Sequence, residues 1–212
     1  MTKKKTPKKS STKPVIYVHA KARSAVSSSQ VQALVELDFP VYTRLAVEGA
    51  RQTSNGYDQP LRLLAELHSE QPGRPVIFLR AGLQPTRLLV RQLQQLARAI
   101  PASVLVPLSN ADALVNPFAG LQAPAKNPDI DYSGMVNLLA PGKLHTLNNW
   151  FDHFTYLTAE VVKCLAEAPG DIPLLQQLSR LGIRLLAPDH LFLHDPESKV
   201  FTKLDLKPYE SL

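Results

Sequence analysis

Apolar and polar positions along the chain fall into alternating short buried runs and amphipathic stretches. Val15 to Ala20 (VIYVHA) is an apolar run of strand length. Ser27, Ser28 and Ser29 follow as helix-capping residues before Val31, Leu34, Val35 and Leu37, which repeat at helical spacing. Asp38-Phe39-Pro40 ends that helix, and Val41 to Val47 alternates enough for a second strand. After a polar stretch with an Asn55-Gly56 turn, Leu61, Leu64, Ala65 and Leu67 mark one face of a helix that stops near Gln71-Pro72-Gly73. Val76 to Leu79 is continuously apolar, as expected of a strand covered on both faces. The clearest helix comes next: Leu88, Leu89, Leu93, Leu96 and Ala97 line up, with Arg87, Arg91 and Arg98 largely opposite. Ala102 to Leu108 is a fourth strand.

The second half is less regular. Residues 109–146 are rich in proline and glycine and predict a long loop, a feature that in a compact domain points to function or mobility. Trp150 to Ala168 reads as helical, at least from Thr158. Pro173 to Leu181 reads as a short helix closed by Gly182. Ile183 to Ala187 and His190 to His194 are strand-like. The alternation of strands and helices predicts an α/β fold: an open, mostly parallel sheet with helices on both faces. Ligands of such sheets bind at the carboxyl ends of the strands. That directs attention to Arg80–Leu83, Ser109–Asn116 and Asp189–Asp195.

Composition adds the domain plan and excludes some classes. The chain has 212 residues, 44% hydrophobic and 20% charged, as in ordinary globular proteins. The expected organisation is a disordered lysine-rich tail over residues 1–13 and one α/β domain over 14–212. Of 24 basic residues, six (Lys3, Lys4, Lys5, Lys8, Lys9 and Lys13) lie in the tail, and the remaining basic residues match the 18 acidic ones. The tail suits loose contact with an anionic membrane surface or nucleic acid, or simple solubilisation. The neutral body argues against a dedicated nucleic-acid groove. No apolar run reaches the roughly 20 residues of a membrane helix, and no secretory signal is recognisable. The expected location is the cytoplasm, with the tail able to hold the protein at the inner membrane surface. Cys164 is the one cysteine, set among TAEVVKCLAEA, where a packed structural thiol is expected. Phosphate-binding glycine motifs, CxxC and HExxH are all missing from the sequence.

Four segments in order resemble family 2 glycosyltransferases. FLRAGLQPTRLL is similar to the segment in which an apolar strand ends in an Asp-x-Asp turn before a helix. LVPLSNADALVNPFAGL looks like the next strand and its Ser-Asn loop. NWFDHFTYLTAEVVKCL resembles the acceptor-side stretch, where a short strand leads into a helix. GDIPLLQQLSRLGIRLLAPDHLFLHD resembles the late segment: an acidic pair starts a helix, a glycine ends it, and a strand leads to a histidine. The resemblance covers about residues 75–195. It implies a nucleotide-diphospho-sugar transferase fold of GT-A type, a nucleotide-sugar donor, a glycan acceptor, and a role in bacterial surface polysaccharide or glycoconjugate assembly.

This chain departs from the family where metal would bind. The acidic turn is replaced by Arg80-Ala81-Gly82. Metal-dependent transferases offset the diphosphate charge with a divalent ion on hard oxygen ligands. Arg80 cannot ligate a metal, but it can hold phosphate directly or simply face solvent. The expectation is therefore no metal and no cofactor. Asp171, from the late acidic pair, is the implied catalytic base, and equally an N-cap before Ile172 and Pro173. Asn110, Asp112, Trp150 and His194 join Arg80 as implied substrate contacts. Asp112 also suits a turn, Trp150 the core, and His194 a plain surface position. Two rivals stay open beside an active transferase: a non-catalytic binding or scaffold subunit of the same fold, and a nucleic-acid-associated protein acting through the tail.

Overall fold

The computed structural model describes residues 13–20, 28–37, 41–45, 58–110, 113–117, 132–151, 153–168 and 172–195. Its parallel strands are β1 (Val15–Ala20), β2 (Val41–Leu45), β3 (Val76–Arg80), β4 (Ser103–Leu105) and β8 (Arg184–Pro188). Two further strands, β6 (Leu144–Thr146) and β7 (Phe154–Leu157), run against them. Together they make a seven-stranded sheet in the order β2-β1-β3-β7-β4-β8-β6. A two-stranded parallel sheet pairs β5 (Leu108–Ser109) with β9 (Phe192–Leu193). The α/β class with a mostly parallel sheet is as the sequence predicts.

Alternate side chains of β1, β3, β4, β7 and β8 feed two separate cores, because successive residues point to opposite faces. On one face Val15, Tyr17, Val76, Phe78, Val104 and Leu157 pack with α2 (Asp58–Glu70), α5 (Ala159–Ala166) and α6 (Leu174–Arg180). On the other, Ile16, Val18, Ile77, Leu79, Leu105, Phe154 and Tyr156 pack with α1 (Ser28–Glu36) and α3 (Arg87–Ala99). β3 is buried from both sides, which is why its sequence is apolar without alternation. Burial also pushes the Tyr156 hydroxyl far above the usual tyrosine range, against a weaker opposing pull from Arg98.

Helix boundaries follow from capping residues. Thr86 accepts from the Leu89 amide at 3.1 Å and starts α3; Pro101 stands just beyond its end. Thr158 does the same for α5 through the Val161 amide at 3.3 Å, and its hydroxyl donates to the Pro101 carbonyl. Gly182 closes α6 as predicted. At φ 67° it lets its own amide reach Ser179 and the Ile183 amide reach Leu178, the paired C-terminal bonds of a Schellman motif.

The structure corrects several expectations. Within the stretch read as helical from Trp150, Phe154–Leu157 is a strand, inserted antiparallel between β3 and β4. The stretch 109–146 is not one loop: it holds a 3-10 turn at Ala113–Val115, α4 (Tyr132–Leu139) and β6. The fourth strand is split at Pro107, leaving β4 and β5 in different sheets. In α3, Leu88 is 64% exposed and Val90 takes its place in the core. Cys164 is half-buried and packs against the first core, with no disulfide. Among the described residues no helix is long and apolar enough to cross a membrane.

Candidate functional site at the carboxyl edge

β3 ends at Arg80, and the chain then turns sharply. Leu83 donates its amide to the Arg80 carbonyl at 3.2 Å, and Gly82 sits at φ 91°, a conformation that favours glycine. Buried Gln30 of α1 braces the turn from both sides. It accepts from the Gly82 amide at 2.9 Å and donates to the Leu83 carbonyl at 2.8 Å. The turn that would carry acids in the resembling family is thus a rigid hairpin of backbone held by an amide side chain.

Arg80 is fixed at both ends. Its amide donates to the His153 carbonyl at 3.0 Å, and its guanidinium donates to the Asp195 carboxylate at 2.8 Å. The two side chains are 28% and 10% exposed, so the pair lies at the rim of the fold, partly out of water. A charge pair so placed holds its geometry better than one fully in solvent.

Asp195 is positioned by Asn110. The Asn110 amide group donates to the Asp195 carbonyl at 2.7 Å and accepts from the Asp195 amide at 2.7 Å. Ser109 adds a bond to the Leu193 carbonyl at 2.7 Å. The short β5–β9 ladder and these three side-chain bonds therefore set the backbone that aims the carboxylate at Arg80. Asn110 is fully buried, which makes it a positioning residue within this arrangement. His153, also buried, places its Nε2 3.3 Å from the Pro107 carbonyl and packs edge-on against Phe151. His194 stands beside Asp195, half-buried. Burial draws its pKa below the ordinary histidine value, and the Asp195 carboxylate partly restores it.

The predicted site residues separate. Arg80, Asn110 and His194 meet in one cluster with Asp195. Trp150 does not present its ring at the rim: it is 9% exposed and packs edge-to-face on Phe78 at 6.1 Å, so its role in the structure is core packing. Asp112 and Asp171 lie outside the described residues, as do Lys3, Lys4, Lys5, Lys8 and Lys9. Asp195 and His153 were not singled out by sequence. Asp195 closes the segment Asp189–Asp195 flagged at the strand ends, but nothing local pairs it with a residue 115 positions away. Among the described residues, no group of three or more His, Cys, Asp or Glu has the spacing of a metal site.

No protein-family model matches the chain, and no curated protein matches it in sequence. Among solved structures, the chain is similar to A197 from STIV, at a TM-score of 0.49 and 11% identity, over 84% of this chain and 83% of that one. It is also similar to a glycosyltransferase involved in the glycosylation of the major capsid of PBCV-1, at a TM-score of 0.35 and 12% identity, over 83% and 82%.

Proposed function

We propose that this chain is a divergent glycosyltransferase-like protein that binds a nucleotide sugar at the carboxyl edge of its sheet. Arg80 takes the donor diphosphate in place of a metal ion, and a glycan hydroxyl is the acceptor, in bacterial surface polysaccharide or glycoconjugate assembly. One observation supports the reading above the rest. A permanently charged guanidinium, anchored through its own backbone, stands at the carboxyl end of β3, where the resembling family carries its acidic turn. Asn110 acts through Asp195, and His194 flanks the pair as a neutral imidazole. Asp171 is assigned the base that takes the acceptor proton. The amino-terminal lysines are assigned loose contact with an anionic surface.

Titration calorimetry with UDP- and dTDP-sugars tests the donor site. Arg80→Ala should weaken binding by ~1.5–3 kcal/mol, the range for a hydrogen bond to a charged group. Arg80→Asp should weaken it further by adding repulsion. Equal binding by all three proteins would remove Arg80 from the site.

The Arg80–Asp195 pair favours a second reading. A guanidinium already held by a carboxylate is a weaker phosphate ligand, which suits a non-catalytic binding subunit of the same fold. Turnover separates the two. In a transferase, Asp171→Asn should lower turnover ~10²–10⁴-fold while donor binding persists. No turnover by the unaltered protein, across a broad donor and acceptor panel, would favour the binding subunit.

A further inference from the structure

The outer face of α3 carries a line of cations that the fold does not use. Successive residues of a helix turn by about 100°, so Arg87, Arg91 and Arg98 lie within about 40° of one another around the axis. At a rise of about 1.5 Å per residue they form a straight stripe roughly 16 Å long, facing away from the buried Leu89, Leu93 and Ala97. All three arginines are exposed. Arg87 donates to the Glu36 backbone carbonyl at 3.0 Å, and among the described residues none of the three has a carboxylate partner. From residue 71 to residue 111 the only charged side chains are Arg74, Arg80, Arg87, Arg91 and Arg98. The stripe works against the helix that bears it. Arg87 stands at the first helical position, where the dipole favours anions, and α3 has no acid in its first turn. Arg87 and Arg91 form a like-charge pair at i,i+4, which repels. An unpaired stripe kept against the stability of its own helix points to an anionic partner.

Place and chemistry narrow that partner. The chain leaves Arg80, turns at Gly82 and enters α3 at Arg87, so the stripe starts at the carboxyl edge and runs down the flank of the sheet. Gln84 and Gln95 are exposed beside it, with amides that both donate and accept, as sugar hydroxyls require. α3 has no aromatic side chain on which nucleic-acid bases could stack. Leu88 is its one exposed large apolar residue, too little to seat the helix in a lipid interface. We propose that Arg87, Arg91 and Arg98 form an acceptor track for a uronic-acid glycan. The glycan lies along α3 with its carboxylates on the guanidinium forks, and its acceptor end reaches the carboxyl edge. This deepens the acceptor half of the proposed function and rests on it for the acceptor role, while the track itself needs only the acidic glycan.

Fluorescence anisotropy on the full chain with an end-labelled oligogalacturonate tests the track. The competitors are a neutral maltooligosaccharide of the same length, a dT oligonucleotide of the same charge, and phosphatidylglycerol vesicles. The unaltered protein should bind the oligogalacturonate, more weakly as salt rises, and the maltooligosaccharide should not compete. Arg91→Gln and Arg98→Gln should each weaken binding about 2- to 5-fold, and the Arg87→Gln/Arg91→Gln/Arg98→Gln variant at least ~10-fold. Arg91→Gln should melt no lower than the unaltered protein, because it removes the i,i+4 repulsion, which guards against a folding defect. Oligogalacturonate binding that survives the triple substitution would overturn the track and assign the contact to the amino-terminal lysines. Failure of the folded, unaltered protein to bind the oligogalacturonate would overturn it as well. So would stripe-dependent binding of the dT oligonucleotide or the vesicles that is tighter than that of the glycan. The outcomes separate the two proposals. Stripe-dependent oligogalacturonate binding by a chain that binds no UDP- or dTDP-sugar keeps the track and removes the transferase reading. Nucleotide-sugar binding by a chain that ignores the acidic glycan does the reverse.

Discussion

At the scale of single residues, the site is built from side chains that spend their hydrogen bonds on backbone. Gln30 fixes the turn after Arg80, and Asn110 fixes the segment that carries Asp195. Beside them at the rim stand the Arg80–Asp195 ion pair and a half-buried histidine, His194. His194 carries a pH signature whose sign follows from its lowered pKa. The unfolded chain takes up this proton near the ordinary value of about 6.5, while the folded chain resists it to lower pH. Between those two values the unfolded state holds more protons, so His194 lowers stability as pH falls below about 6.5. Melting temperature should drop on acidification from pH 7 to pH 5, and His194→Gln should reduce the drop. An identical pH profile in the variant would show that His194 does not carry this effect. Arg80 was legible in the sequence because a charged residue directly follows a continuous apolar run. Its partner was not, since their meeting depends on a pairing of β5 with β9 that only the whole fold creates.

At the scale of elements, local signals decided what could be read. α3 is legible from its apolar stripe alone, and the structure adds the Thr86 cap at its start. Its stripe was rotated by one position, because Leu88 and Val90 flank the same turn and only packing against the sheet chooses between them. β7 defeated the period argument. Four residues, Phe154–Leu157, run directly into a good helix at Thr158, and the strand is specified by its neighbours β3 and β4 rather than by its own pattern. α4 and β6 were lost inside a stretch whose prolines and glycines signal loop, and β6 is exposed at all three positions, so it shows no buried periodicity. The packing of α3 on the sheet makes a stability prediction. Leu93 is fully buried against the second core, so Leu93→Ala should cost ~2–5 kcal/mol in chemical denaturation, while Leu88→Ala, on the exposed side, should stay within about 0.5 kcal/mol. Equal losses at the two positions would contradict the observed helix face.

At the scale of the molecule, five parallel strands end on one edge; antiparallel β7 interrupts the sheet and antiparallel β6 lies at its end, without altering that edge. β7 enters at the edge beside Arg80, which is how His153 comes to accept the Arg80 amide. The fold class followed from the alternation of apolar runs and amphipathic stretches. Strand order did not, since a central antiparallel strand leaves no trace in periodicity. The functional account makes the carboxyl edge of β3 the place where a donor diphosphate is held by a fixed guanidinium. A crystal structure of the protein with UDP tests this most directly. The account predicts diphosphate oxygens within ~3 Å of the Arg80 guanidinium, above the carboxyl ends of β1 and β3. A nucleotide bound at the opposite edge of the sheet, or one whose phosphates leave the Arg80–Asp195 pair untouched, would contradict it.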